Sequence, residues 1–99
     1  MAAITVAPVG AGMTMAAASG GGDTVTGGTK AGGWVAGGTP VLVVTVGATP
    51  TVVTVDGTAQ ASLTSKTAVY PLSGGVYTGR SIAVTYDQVT AVTVGAQVL

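Results

Sequence analysis

The sequence has no cysteine, no histidine and no glutamate. Without cysteine there is no disulfide and no thiolate, and the redox compartment stays open. Without histidine or cysteine, Ser-His-Asp and Cys-His nucleophile systems are excluded, and so is zinc held by its usual side chains. Without glutamate, three aspartates supply all the side-chain carboxylates: Asp23, Asp56 and Asp87. A glycosidase pair would need two of them to converge. Asp56 and Asp87 stand beside turn signals and Asp23 stands in a Gly-rich stretch, so all three read as turn or loop residues. Calcium needs several clustered oxygens, and no Asp-x-Asp spacing exists.

Charge is equally scarce. Charged residues make up 6% of the chain and balance to zero: Asp23, Asp56 and Asp87 against Lys30, Lys66 and Arg80. They are scattered, so no basic patch is available for a phosphate backbone. Steering of a charged partner is weak for the same reason. A near-neutral surface tends to associate, which suggests that much of it meets protein.

What remains is mostly Gly, Ala, Thr and Val. Thr and Val are β-branched; they resist helix and fit a pleated surface. Strong helix formers are few. Composition therefore favours strands joined by Gly-rich turns. The 99 residues suit one domain. A domain of this size buries only about 60–65% of its unfolded surface, so a neighbouring subunit is a natural source of extra stability.

Two long uncharged stretches bear on membranes. Residues 1 to 22 lack the basic start of a signal peptide and are broken by Pro8, Gly10 and Gly12. Residues 31 to 55 could span a bilayer by length. Pro40, Pro50 and repeated Gly and Thr favour two strands around a turn instead.

Along the chain, Ile4 to Val9 reads as a short strand or extended arm, with Pro8 at an edge or bulge. Gly10 to Gly28 reads as loop or arm, so residues 1–28 form a flexible Gly/Ala-rich arm and residues 29–99 the folded domain. Trp34, the single tryptophan, sits in a short apolar patch and serves as core, lid or contact anchor. Val41 to Val46 is apolar on both faces, which places it centrally. Thr51 to Val55 returns after Gly47-Ala48-Thr49-Pro50. Asp56-Gly57 is a tight-turn dipeptide, because both central residues of a type I′ turn need positive φ. A strand around Thr58 to Leu63 follows. Thr67 to Leu72 reads as an edge strand ending near Pro71. In Ser81 to Tyr86, Ile82, Val84 and Tyr86 share one face. From Thr90 onward, Val92, Val94, Ala96 and Val98 share another. That period of two marks half-buried strands. About seven short strands at this spacing predict an all-β fold, a small antiparallel β-sandwich or barrel.

The remaining motif-like strings carry no chemistry. Gly27-Gly28-Thr29-Lys30 lacks the Gly-Lys-Ser/Thr order of a phosphate loop. Gly10-Ala11-Gly12 has Met15 where a dinucleotide fingerprint needs its third Gly. Ser65 and Lys66 are adjacent, so on a strand they point to opposite faces. No enzyme, cofactor, metal, nucleic acid, membrane or small-molecule substrate is expected. The candidate partner contacts are Ile4, Val6, Met13, Met15 and Trp34.

From Val41 to Leu99 the order of elements carries a resemblance. An apolar strand (Val41 to Gly47) precedes a Thr/Val strand (Thr51 to Val55), and a Tyr follows a Gly pair (Gly74-Gly75-Val76-Tyr77). The close runs Ile82-Ala83-Val84-Thr85-Tyr86-Asp87-Gln88-Val89-Thr90-Ala91-Val92-Thr93-Val94 to Leu99. This pattern resembles the small head-decoration, or capsid cement, proteins of tailed bacteriophages of actinobacteria. The resemblance implies a virion structural protein, a homo-oligomer on the outer capsid surface, that bridges major capsid subunits. It implies no catalytic residues. Other virion parts, such as a tail-tube, fibre or minor capsid domain, are alternatives. So is a secreted bacterial adhesion or carbohydrate-binding module.

Overall fold

The computed structural model describes residues 2–7, 14–26, 40–72 and 81–98. Nine strands run in chain order: β1 (Ala2–Ala7), β2 (Ala16–Ala17), β3 (Asp23–Thr26), β4 (Pro40–Val46), β5 (Val53–Val55), β6 (Thr58–Ala59), β7 (Lys66–Pro71), β8 (Ile82–Tyr86) and β9 (Val92–Val98). No helix occurs among the described residues. The strands follow the order β6-β5-β8-β3-β1-β9-β4-β7, with β2 also paired to β9. The path folds into two packed layers, a small β-sandwich as the composition predicted.

The inner faces show why. Ile82 and Val84 are buried on β8, while Ala83 and Thr85 between them are exposed. On β9, Val92, Val94 and Ala96 are buried in the same core. Opposite them stand Val53 and Val55 of β5 and Leu42, Val44 and Val46 of β4. The alternation read from the sequence thus places one complete side of each strand in a single apolar cluster. β4 lies between β9 and β7, pairing with both over its length. Val41 and Val43, on its other face, are buried as well, which fits a strand apolar on both sides.

The turns obey local chemistry. Asp56 has φ of 51° and Gly57 of 82°, the positive pair that the tight β5–β6 connection requires. The loop before β9 is locked by side chains. Asp87 Oδ1 accepts the Val52 amide at 2.8 Å, Gln88 donates to the Thr51 hydroxyl, and Gln88 Oε1 accepts the Thr90 amide at 2.6 Å. A bridge between Thr51 and Leu63 closes the base of the β5–β6 hairpin.

Two expectations need correction. First, the described part of residues 1–28 is not an arm outside the domain. β1 pairs with β3 through Ala2 to Thr5 and with β9 through Val6 and Ala7, so it belongs to both layers. Ile4 and Val6 alternate inward and are buried. Burying two large apolar side chains in the core contributes about 1.5–3 kcal/mol each, which an arm in solvent would forgo. The sandwich therefore begins at β1 and not at residue 29. The ladders are antiparallel as expected, apart from the two parallel pairings that β1 makes. Second, Asp23 is not a loop residue. It opens β3 and is 1% exposed.

Candidate docking surface

Asp23 takes its place in an inward rank beside Val84 and Val55. A carboxylate there must be satisfied, because a buried charge without partners is costly. Its Oδ2 accepts the Tyr86 hydroxyl at 2.8 Å and the Ser19 amide at 3.2 Å. Burial, and then the hydrogen bond to Asp23 and its charge, push the Tyr86 phenol well above its ordinary value of 10. Tyr86 lies two residues beyond Val84 on the same face, so the pair ties β3 to the end of β8. Asp87 caps the start of β5, and Asp56 forms the turn. Among the described residues no group of three or more His, Cys, Asp or Glu is placed to hold a metal. No described helix is long and apolar enough to cross a membrane.

Outward-facing residues of the β8 layer are small: Thr54 stands beside Thr85 and Ala59, and Thr24 beside Ala83. On the β9 layer, Ala17, Thr93, Thr45 and Thr67 fall in one rank across β2, β9, β4 and β7. The hydroxyls of Thr45 and Thr67 are hydrogen-bonded at 3.0 Å. In the next rank, Gly95, Val43 and Val69 stand side by side.

The two ends of the strand path differ. One end is β6, only two residues long after a tight turn. The other is β7, six residues in unbroken register with β4 from Lys66 opposite Val46 to Pro71 opposite Val41. No other described strand pairs with its far edge. Lys66, Thr67, Val69 and Pro71 are exposed. Val69 is 53% exposed, the one large hydrophobic so placed among the described residues. Tyr70, between Val69 and Pro71, turns its ring toward the core; its hydroxyl is buried without a hydrogen-bond partner, and burial raises its pKa.

The predicted contact residues fare unevenly. Ile4 and Val6 face the core and are withdrawn as contacts, since buried side chains offer a partner nothing. Met15 is half-buried just before β2. Met13 and Trp34 lie outside the described residues, as do Lys30, Arg80 and both Gly-rich strings. Ser65 and Lys66 are both solvent-exposed. Sequence reading placed β7 at an edge from Pro71 but missed Val69 as its exposed apolar group. The signal was present: in Thr67-Ala68-Val69-Tyr70, Tyr70 claims the inner face, and period two then puts Val69 outside.

No protein-family model, curated protein or solved structure matches the chain.

Proposed function

We propose that the chain is a virion structural protein that decorates and stabilises the outer capsid shell of a tailed bacteriophage by bridging major capsid subunits. The observation that carries the reading is the close from Ile82 to Leu99, with its resemblance to head-decoration proteins. The geometry is compatible with it in three ways. The sandwich has outward faces of Thr and Ala in place of charge, so it binds by shape and apolar contact and is insensitive to salt. Its described carboxylates are engaged in turns, a cap and a buried pair, which leaves docking as its task. Many copies on one shell add weak contacts into strong retention.

In this reading the protein works as a homo-oligomeric coat on the outer capsid, with the major capsid protein as partner and no reaction of its own. Quantitative mass spectrometry of purified virions tests it. A copy number comparable to that of the capsid subunits is expected. A few copies, or none, would sink the reading.

A further inference from the structure

We infer that Thr51 and Gln88 are joined by an intramolecular ester, formed when the Thr51 hydroxyl displaces the side-chain amide nitrogen of Gln88. The inference is independent of the decoration reading. β5 and β8 pair from Val55 opposite Val84 to Val53 opposite Tyr86. Their contact continues past the last pair, because the Asp87 amide donates to the Val52 carbonyl at 3.2 Å and Asp87 Oδ1 accepts the Val52 amide. One step further, Thr51 and Gln88 stand opposite each other, on the inward side that Val53 and Tyr86 occupy. Thr51 is 0% exposed and Gln88 is half-buried. Two backbone bonds with Leu63, at 2.9 and 2.8 Å, fix Thr51 from its other side.

Three contacts prepare the pair for acyl transfer. Gln88 Nε2 meets Thr51 Oγ1. The Thr51 hydroxyl donates to the Thr49 carbonyl at 3.0 Å, which leaves an oxygen lone pair facing the amide. The Thr90 amide holds Gln88 Oε1 at 2.6 Å; it draws electrons from Cδ and sits where negative charge develops during attack. Ala91, next in the chain, has φ of 56°, a left-handed backbone uncommon for a residue with a Cβ, so the loop is held to one shape. With nucleophile and carbonyl held together, the encounter is unimolecular. The Oγ1–Cδ bond forms and the Cδ–Nε2 bond breaks. The Thr51 proton passes to the nitrogen, which leaves as ammonia, so the step needs no oxidant and no co-reactant. It happens once per chain. Burial of Thr51 keeps water from reversing it. Gln60 has no such setting, since its amide donates to the Thr58 carbonyl at 3.2 Å. The ester staples residues 37 apart in the chain and restricts the unfolded state as any covalent loop does.

The test is the intact mass of the purified folded chain, followed by tryptic digestion. The sequence has no asparagine, so glutamine is its only source of side-chain amide nitrogen. The chain is expected to weigh less than its sequence by one ammonia. Trypsin cuts after Lys30, Lys66 and Arg80, so Thr51 falls on peptide 31–66 and Gln88 on peptide 81–99. These two peptides are expected to run as one linked species that alkaline hydroxylamine, which opens esters, separates. Thr51→Val keeps the branched shape without the hydroxyl, and Gln88→Met keeps the length without the amide. Each is expected to have the full mass of its sequence and to release two separate peptides. Thr51→Ser retains the nucleophile and is expected to stay linked. Circular dichroism checks the fold of each variant, and the wild-type digest decides even where a variant misfolds. Full mass and separate peptides from the folded wild-type chain would overturn the ester and leave a hydrogen bond alone. A link that maps to Gln60 or Gln97, or that survives in Thr51→Val, would overturn the assignment of the pair.

Discussion

Replacing Tyr86 by Phe removes one oxygen and leaves the ring in place, so it isolates the hydroxyl's bond to Asp23. That bond is 2.8 Å long and ends on a carboxylate that is 1% exposed. Hydrogen bonds to charged groups contribute about 1.5–3 kcal/mol. In Tyr86→Phe, Asp23 Oδ2 keeps the longer bond from the Ser19 amide, so the loss stays near the middle of that range, about 2 kcal/mol. For a domain of this size that lowers the melting temperature by roughly 8–16 °C. Urea unfolding followed by circular dichroism should show a lower midpoint with an unchanged slope, since the surface exposed on unfolding is the same. Asp23→Asn in the Tyr86→Phe background should cost less than in the wild type, because the two groups share one interaction. A Tyr86→Phe loss below about 0.5 kcal/mol would refute the account of how this carboxylate is tolerated, since that is the range of an unimportant surface change. The same pair fixes an alkaline limit. The folded chain holds the Tyr86 proton above pH 10, where the unfolded chain releases it. The unfolded state then binds fewer protons, so stability falls as pH rises above 10. The slope stays below the about 1.4 kcal/mol per pH unit of one full proton, because solvent reaches part of the ring. Tyr70 adds in the same direction. Tyr86→Phe should flatten the pH dependence of the urea midpoint between pH 9 and 11.

Val84 is completely buried in the inward rank of β8, so Val84→Asp should cost about 3–5 kcal/mol and leave little folded protein at 37 °C; an unchanged melting temperature would contradict its position. Deleting residues 1–7 removes the strand between β3 and β9 and should abolish cooperative melting, whereas an arm outside the domain would be dispensable. A Cβ added at Gly47 would lie 2.7 Å from the Ala91 Cβ, so Gly47→Ala should cost about 1–3 kcal/mol by overpacking the start of β9, read as a lower urea midpoint.

The strands visible in the sequence are those whose own residues decide their geometry. Val41 to Val46, Ile82 to Tyr86 and the run from Val92 announce themselves by apolar period, and Asp56-Gly57 by the backbone it permits. β2 and β3 are hidden because Gly, Ala, Ser and Thr around them give no period and match loop composition, and β1 is legible only as a short strand or an arm. What makes them strands is the partner edge each one meets: β1 and β3 pair with each other across some 20 residues, and the remaining partners lie some 60 to 90 residues away in β8 and β9. Ile4 and Val6 carry a cue, two large apolar groups at period two, but Pro8, Gly10 and Gly12 just after them match an arm as well as a strand. Asp23 defeated sequence reading because the hydroxyl that makes its burial tolerable comes from Tyr86 at the other end of the chain. On β7, the edge position is legible from Pro71 and the outward face of Val69 from the period of two, whereas the degree of its exposure, 53% against 8% for Val43 on the same face, depends on β4 lying to one side only.

The position of β1 also governs how the fold would bear tension. β1 and β9 run side by side in the same direction, so a pull on the start of one and the end of the other slides them along their length. The cross-links between them then share the load and must rupture together, whereas a hairpin peeled from its open end gives way one link at a time. If the chain coats a shell as proposed, attachments made near these two points would hold it best as the shell swells.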